Sequence, residues 1–440
     1  MSTPRLQAGP RAIALEIAAE ARAEWGYATD IIARAFRAHR ELASGARRLI
    51  AETVYGLIRM NRRLDAIADE LTRGRDVPLA PLARDELKLL IYEARTGVPV
   101  DALAADAKRL SREPIDLARA CDDDAGLGGR TGLEREATRL SYPTWLLEAW
   151  MADYGAEASA LAEAMNQRAP LAVRVNTARI GRDTLIAQLE EEHVVAKPAP
   201  LSPVGLVFET RVNAFGLSAF RDGLFEVMDE GSQLVADLVA PPPGGRVLDA
   251  CAGAGGKTLA LGAALAGKGR VLALDTDGKK LEELRRRARR AGLTNVQAKP
   301  VGTGTGDVAK AVAGTYDRVL VDAPCSGLGT LRRNPEARWR LTPAEVAGFP
   351  ARQLALMVTY APLTSVGGRL IYATCTVNRR ENEGVVERFL AERDDFVPVP
   401  VKEIWGRERA ATVGDGMTLQ LYPQRHDTDG FFAAVLRRVR

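Results

Sequence analysis

From about Phe225 onward the chain alternates short apolar runs with helical patterns, and this alternation limits its second half to one kind of layout. Arg246–Ala250 reads as a strand, Lys257–Ala266 as a helix, Arg270–Asp275 as a strand and Lys279–Ala291 as a helix. Asp317–Asp322 and Gly368–Ala373 read as further strands flanking a helical Pro343–Pro362, and Asn382–Arg393 reads as a helix. Strands joined by helices pair in parallel and need cover on both faces, so an α/β fold around a mostly parallel sheet is expected. The last apolar run, Phe431–Arg438, follows a turn at Asp429-Gly430 and is expected to join as an antiparallel strand.

A chain of 440 residues is too long for one compact domain. Before Asp124 it is rich in Ala, Leu, Arg and Glu, with apolar residues at helical spacing in Arg11–Glu24, Ala46–Met60 and Leu82–Glu93 and no strand pattern. The turn-rich Asp122–Gly129 reads as a linker, and mixed patterns begin near Leu171–Asn176. The expected division is a helical domain over 1–130, a small α+β bridging domain over 135–225 and the sheet-bearing domain over 226–440.

A formal net charge of +4 is compatible with a nucleic-acid partner without requiring one. Four cysteines without a CxxC pair, and three histidines (His39, His193, His426), form neither a disulfide scaffold nor a zinc constellation, so no metal is expected. Reduced thiols, no apolar core in Met1–Pro10 and no run of 18 apolar residues predict a cytoplasmic chain without a membrane span. A monomer is expected.

After the first of these strands comes Asp249-Ala250-Cys251-Ala252-Gly253-Ala254-Gly255-Gly256-Lys257-Thr258. Its glycines permit a tight turn and close approach to a ligand, and the next helix offers free N–H groups. The spacing fails the P-loop pattern, because Cys251 stands where a glycine is needed, and it fails Gly-x-Gly-x-x-Gly. A loop for S-adenosylmethionine is the third reading. Asp275, at the end of the second strand, is placed to accept both ribose hydroxyls, whereas Asp277 better fits a helix cap.

Cys325 and Cys375 each follow an apolar run, so each sits where a parallel sheet presents residues to a ligand. Cys121 and Cys251 read as ordinary small buried residues, with Cys251 lining the loop through its backbone. A phosphatase loop at Cys325 is excluded, since six residues separate it from Arg332. Methylation of a pyrimidine at C5 is a chemistry that would use such a pair. A thiolate adding to C6 makes C5 nucleophilic, a second polar group helps release the adduct, and an acid holds the base edge. Asp322, Cys325 and Cys375 supply that set, and the residues alone leave open which thiol attacks.

The run Asp322-Ala323-Pro324-Cys325-Ser326-Gly327 with Ala373-Thr374-Cys375 resembles the Sun/Fmu family of RNA cytosine-C5 methyltransferases, bacterial ribosomal branch. Arg174-Val175-Asn176, Asp229-Glu230-Gly231-Ser232-Gln233, Arg332-Arg333-Asn334-Pro335 and Asp429-Gly430-Phe431-Phe432 extend the likeness over nearly the whole chain. The resemblance implies a Rossmann-like class I methyltransferase domain with S-adenosyl-L-methionine as methyl donor. It also implies an all-α NusB-like RNA-binding domain, a likeness carried by Glu52–Arg59 and Leu64-Asp65. It makes Cys375 the nucleophile, Cys325 the residue that aids release and Asp322 the support for the base. Cys251, Ala252, Gly253, Ala254, Gly255, Gly256, Lys257, Asp275 and Asp322 are then the cofactor-binding set, with Lys257 approaching both methyl donor and base.

Two positions depart from the family pattern. Ala254 replaces a proline, and Val301 stands where an acid sits beside the adenine. The adenine contact is expected from the backbone or from Asp307, with weaker affinity. Arg174, Asn176, Arg332 and Arg333 are the candidate RNA contacts. The basic run Arg285-Arg286-Arg287 with Arg289-Arg290 reads as a solvated helix face. Ribosomal RNA of the small subunit is the implied substrate, with the target base flipped or unpaired. Transfer RNA or another RNA, or an idle RNA-binding assembly factor on the same fold, are the alternatives.

Overall fold

The computed structural model describes residues 5–440 apart from 7, 112, 211, 303, 305, 309–311 and 313. The start of the amino-terminal segment read above for a leader, residues 1–4, therefore lies outside the described residues. The chain forms two compact units, Met1–Gln167 with Leu331–Pro343, and Arg168–Thr330 with Ala344–Arg440.

The first unit is helical. Its helices are α1 (Ala8–Glu24), α2 (Ala28–Ala38), α3 (Ser44–Arg59), α4 (Asn61–Leu71), α5 (Pro81–Arg95), α6 (Val100–Leu110), α7 (Gly132–Leu140), α8 (Thr144–Tyr154) and α9 (Glu157–Met165). One core gathers Leu57, Leu64, Ile67, Leu87, Leu90, Ile91 and Leu103, and a second gathers Ile17, Ile31, Ile50, Val54 and Ile58.

The expected linker is not a linker. Ala125 and Leu127 are buried, and Gly126 donates its N–H to Glu70 Oε2 at 2.6 Å. Gly126 has φ +72, and a Cβ there would lie 2.7 Å from the Ile67 nitrogen. The turn signals mark a tight approach to α4, not a break between domains. By its contacts the helical unit runs on through α9.

It is completed by a segment from far along the chain. Trp339 donates its indole N–H to Ile58 O at 2.8 Å. The Arg338 guanidinium donates to Asn166 Oδ1 at 2.7 Å and stacks 4.0 Å from the Tyr142 ring. Burial here brings the Arg338 pKa down to about 10.

The second unit carries both sheets. The smaller is four-stranded, in the order β2-β3-β1-β4, from β1 (Leu171–Val175), β2 (Ala196–Pro198), β3 (Gly205–Phe208) and β4 (Phe225–Val227). All its pairings are antiparallel, and α10 (Arg182–Glu191) packs on it. By its contacts the stretch from Arg168 onward belongs to the same compact unit as the large sheet.

The large sheet has eight strands in the order β10-β12-β9-β8-β5-β6-β7, with β11 paired to β12. They are β5 (Arg246–Asp249), β6 (Arg270–Asp275), β7 (Val296–Pro300), β8 (Tyr316–Asp322), β9 (Thr364–Thr374), β10 (Phe396–Pro398), β11 (Leu419–Leu421) and β12 (Phe431–Arg438). β5 to β9 pair in parallel, and β12 joins β9 antiparallel, as the turn before it led one to expect.

Alternate residues feed the two faces. Val319, Val321, Leu370 and Tyr372 enter one core, while Leu320, Ile371 and Ala373 enter the other. Helices α11 (Ser218–Arg221), α12 (Glu230–Leu238), α13 (Gly256–Ala264) and α14 (Gly278–Arg290) precede a long helix, Pro343–Tyr360, and another, Glu383–Glu392. The chain runs outward from β5 to β6 and β7, then returns to lay β8 on the other side of β5. That reversal opens a crevice at the carboxyl ends of β5 and β8.

One backbone approach locks the crevice. Gly329 N–H donates to Cys375 O at 3.0 Å, and Gly430 N–H donates to Gly329 O at 2.7 Å. A Cβ on Gly329 would lie 2.1 Å from Gly430 O and 2.8 Å from Cys375 O. Gly329→Ala is therefore expected to destabilise the protein by roughly 3 kcal/mol, measured by urea denaturation. A loss below about 0.5 kcal/mol would mean that the three loops part without penalty.

Candidate active site at the carboxyl ends of the central strands

β5 ends on Asp249, and the glycine loop leads straight into α13. Gly255 has φ +90 and lies against Leu284, where a Cβ would come within 2.5 Å of Leu284 Cγ. Ala252 N–H donates to Leu274 O at 2.8 Å. At the end of β6, Asp275 Oδ2 accepts the Gly253 N–H at 2.8 Å and Oδ1 accepts the Asp277 N–H at 2.8 Å. The acid thus shapes the loop from beneath while remaining half-buried. Asp277 caps α14 by accepting from Lys279 N at 2.9 Å, the local role expected of it.

Cys251 is half-buried. Burial, with the Asp249, Asp322 and Asp275 carboxylates, pushes its thiol well up, which fits an unreactive residue. Val301 joins the core beside Leu274, and its N–H donates to Asp275 O at 3.1 Å. Asp307 folds back toward Gly302 and accepts from Gly304 N at 3.3 Å.

The thiols approach each other. β8 ends on Asp322 and β9 on Thr374, and Ala323 N–H donates to Ala373 O at 2.8 Å. This brings Cys325 Sγ to 3.5 Å from Cys375 Sγ. The Lys257 ammonium, rising from the first turn of α13, pairs with Asp322 Oδ2 at 2.6 Å and lies 5.3 Å from the Phe431 ring. Burial opposes its charge most strongly, but the Asp322 carboxylate, with Cys375 and Asp249 adding, holds the Lys257 pKa above the ordinary value. The hydrogen bond to Cys375 pushes the Cys325 thiol well up, with burial and the charges of Cys375 and Glu381 adding to it.

Beneath the thiols lies a cluster that sequence reasoning missed. Ser326, Thr376, Asn378 and Gln353 converge on Glu381. The run Thr376–Asn382 carries several hydrogen-bonding side chains in a short stretch after a strand. That was the available signal, and nothing in it named the partners.

The candidate RNA contacts fare unequally. Arg174 is 3% and Asn176 1% exposed. Asn176 Nδ2 donates to Gly223 O and Ala291 O, each at 2.8 Å, tying the small sheet to the end of α14. Arg174 sits beside Glu226, its pKa brought down to about 10 by burial. Arg332 is 5% exposed and belongs to the helical unit, where its carbonyl accepts from Arg59 at 3.1 Å. These three are buried, whereas Arg333 is only partly buried. The α14 arginines are not one solvated face either. Arg287 and Arg290 pair with the buried Glu226, and Arg287 also donates to Ala254 O at 2.7 Å. Arg285, Arg286 and Arg289 remain exposed.

No helix among the described residues is long and apolar enough to cross a membrane, and none of their side chains form a group of three or more metal-ligating residues. A doubly wound sheet with a glycine loop after its first strand, a carboxylate ending the second and polar groups at the switch point defines a Rossmann-like S-adenosylmethionine-dependent methyltransferase. Residues 236–437 match the family model for 16S rRNA methyltransferase RsmB/F, and residues 142–214 match the RsmF/B-like ferredoxin-like domain.

The "Probable ribosomal RNA small subunit methyltransferase B" of Synechocystis sp. is 34% identical over 93% of this chain and 95% of its own length. The ribosomal RNA small subunit methyltransferase B of Thermus thermophilus is 35% identical over 88% of this chain and 87% of its own. The crystal structure of PH0851 superposes with a TM-score of 0.78, at 26% identity, over 100% of both chains. The chain belongs to the RsmB/F family of 16S rRNA methyltransferases, and its class is that of an RNA methyltransferase.

Asp249 provides a test of the crevice. It is 1% exposed and accepts from Thr258 Oγ1 at 2.6 Å. Burial raises its pKa to about 7, against the Thr258 bond and with help from the Asp322 charge. The folded protein then holds this proton more tightly than the unfolded chain. Stability from this group is full below about pH 4 and is lost progressively up to about pH 7, by at most on the order of 4 kcal/mol. Asp249→Asn should flatten that slope and raise stability at pH 8, measured by urea denaturation without cofactor. An unchanged pH profile in the variant would mean that Asp249 ionises normally.

Proposed function

We propose that the protein methylates C5 of a cytosine in small-subunit ribosomal RNA, through a covalent bond between Cys375 and C6 of the ring. The observation that carries this reading is the pair of free thiols at 3.5 Å, beside the Lys257–Asp322 ion pair and at the mouth of the glycine loop. One thiol alone would support many chemistries. Two reduced thiols within reach of one ring, with a carboxylate and an ammonium beside them, fit a reaction that must both form and break a carbon–sulfur bond.

The roles follow from their surroundings together with the family likeness. The family likeness gives Cys325 the release role, and its hydrogen bond to Cys375, with burial adding, pushes its thiol well up. Cys375 attacks C6, and the ring becomes an enamine with electron density at C5. S-adenosylmethionine, bound on the glycine loop, supplies the electrophilic methyl carbon. Asp322 holds the base edge near N3, and Lys257 keeps that carboxylate oriented. Once Cys325 has given its proton to solvent, its thiolate takes the C5 proton, the C5–C6 double bond re-forms and Cys375 leaves as a thiolate. The glycine loop Gly253–Gly256 leading into α13, and Asp275 at the end of β6, would hold the donor.

Alanine variants decide between the thiols. Cys375→Ala should abolish methylation, by about 10³-fold or more in kcat. Cys325→Ala should accumulate an RNA–protein adduct that survives denaturing gels and disappears with nuclease. Tritium-release and bisulfite assays on 16S rRNA fragments check the position. An adduct formed by Cys375→Ala and not by Cys325→Ala would reverse the roles. Methylation that survives both substitutions would defeat the covalent reading.

A further inference from the structure

Glu381 lies in the turn after the Cys375 loop, just ahead of the helix Glu383–Glu392, and has no part in the chemistry set out above. Its carboxylate is buried with 0% exposure. Oε2 accepts from Ser326 N and Gln353 Nε2, each at 2.9 Å. Oε1 accepts from Ser326 Oγ at 2.5 Å and Asn378 Nδ2 at 3.1 Å. The Thr376 hydroxyl closes the set, 2.8 Å from Ser326 Oγ. Tyr372 OH donates to the Glu381 carbonyl at 2.5 Å, and Asn382 clasps Thr374 Oγ1 at 2.6 Å and Thr376 O at 3.1 Å.

Among the described residues, every hydrogen-bond partner of this carboxylate is a neutral donor. Burying an anion without a cation carries a large desolvation penalty, and apolar side chains of similar size would hold a turn without it. An apolar residue could not, however, accept hydrogen bonds from two loops at once. Ser326 directly follows Cys325 and Thr376 directly follows Cys375. Gln353, from the long helix, also donates to Pro324 O at 3.1 Å, on the other side of Cys325. The donors therefore bracket one thiol and adjoin the other.

We propose that Glu381 is a positioning residue that clamps the two thiol-bearing loops together, so that Cys325 and Cys375 address the same ring. This rests on the thiol chemistry proposed above. The fixed negative charge works in the same direction, since it is among the causes that keep the Cys325 proton in place.

Glu381→Gln in the full chain tests the clamp, because it keeps the shape, removes the charge and turns an amide donor toward other donors. The expected result is a kcat for RNA methylation lowered by about 100-fold, with S-adenosylhomocysteine affinity by calorimetry changed by less than about threefold. Alkylation of Cys325 by iodoacetamide, mapped by mass spectrometry across pH, should shift to lower pH in the variant. A kcat within about twofold of wild type, an unmoved alkylation profile, or cofactor affinity lost in step with kcat would each overturn the proposal. If Glu381→Gln does not fold, Ser326→Ala decides. A kcat at least about tenfold lower supports the clamp, and an unchanged kcat overturns it. The alkylation comparison needs neither RNA nor turnover. A wild-type chain that methylates no RNA would defeat the proposed function while that comparison still decides the clamp.

Discussion

The parallel pairing of β8 with β9 is the constraint on which the rest depends. Its register sets Asp322 opposite Ala373, and the ladder continues one step further through Ala323 N–H to Ala373 O. Both strands therefore end at the same level, and Cys325 and Cys375 leave the sheet as neighbours. A slip of one residue would turn every side chain of one strand to the opposite face. A slip of β8 would turn Asp322 to the other face, and the thiols would separate. The apolar residues on both faces of these strands prevent that slip, so packing far from any substrate determines where the sulfur atoms lie.

Around that pair the protein handles buried charge in three ways. Lys257 and Asp322 neutralise each other beside the thiols. Glu226 takes two arginines of α14, and one of these also grips the carbonyl of Ala254 in the glycine loop. The small sheet, through β4, is thereby joined to the loop by charge-assisted hydrogen bonds. Glu381 is surrounded by dipoles alone. Each solution fits its place: an ion pair where a base edge must be held, a network where two sheets meet, and neutral donors where a nearby positive charge would favour the Cys325 thiolate.

Much of the second unit was legible because strands buried on both faces read as unbroken apolar runs, as in Val319-Leu320-Val321 and Leu370-Ile371-Tyr372. The glycine loop and Asp275 were legible for a similar reason, since a tight turn into a helix leaves few residue choices. β7 has no such run, and its exposed Gln297, Lys299 and Pro300 explain why it escaped. The shorter helices α2, α4 and α6 escaped as well. The burial of Arg174, Asn176 and Arg332 was not legible, because polar residues in a motif look exposed in the sequence and only packing shows where they lie. Glu381 was illegible in principle. Asn378 and Thr376 lie nearby in the chain, but Gln353 and Ser326 lie 28 and 55 residues away, so the joining of two loops exists only after folding.

The segment Leu331–Pro343 has a consequence for the order of events during synthesis. Helices α1 to α9 of the amino-terminal unit are made before residue 167, yet the indole that caps the Ile58 carbonyl belongs to Trp339. A chain emerging at the usual pace of translation leaves that unit unfinished while the glycine loop and the β5–β8 half of the sheet are produced. The helical bundle is thus the first part to be started, yet it is completed only after the chain has passed Cys325 and before β9 to β12 are made.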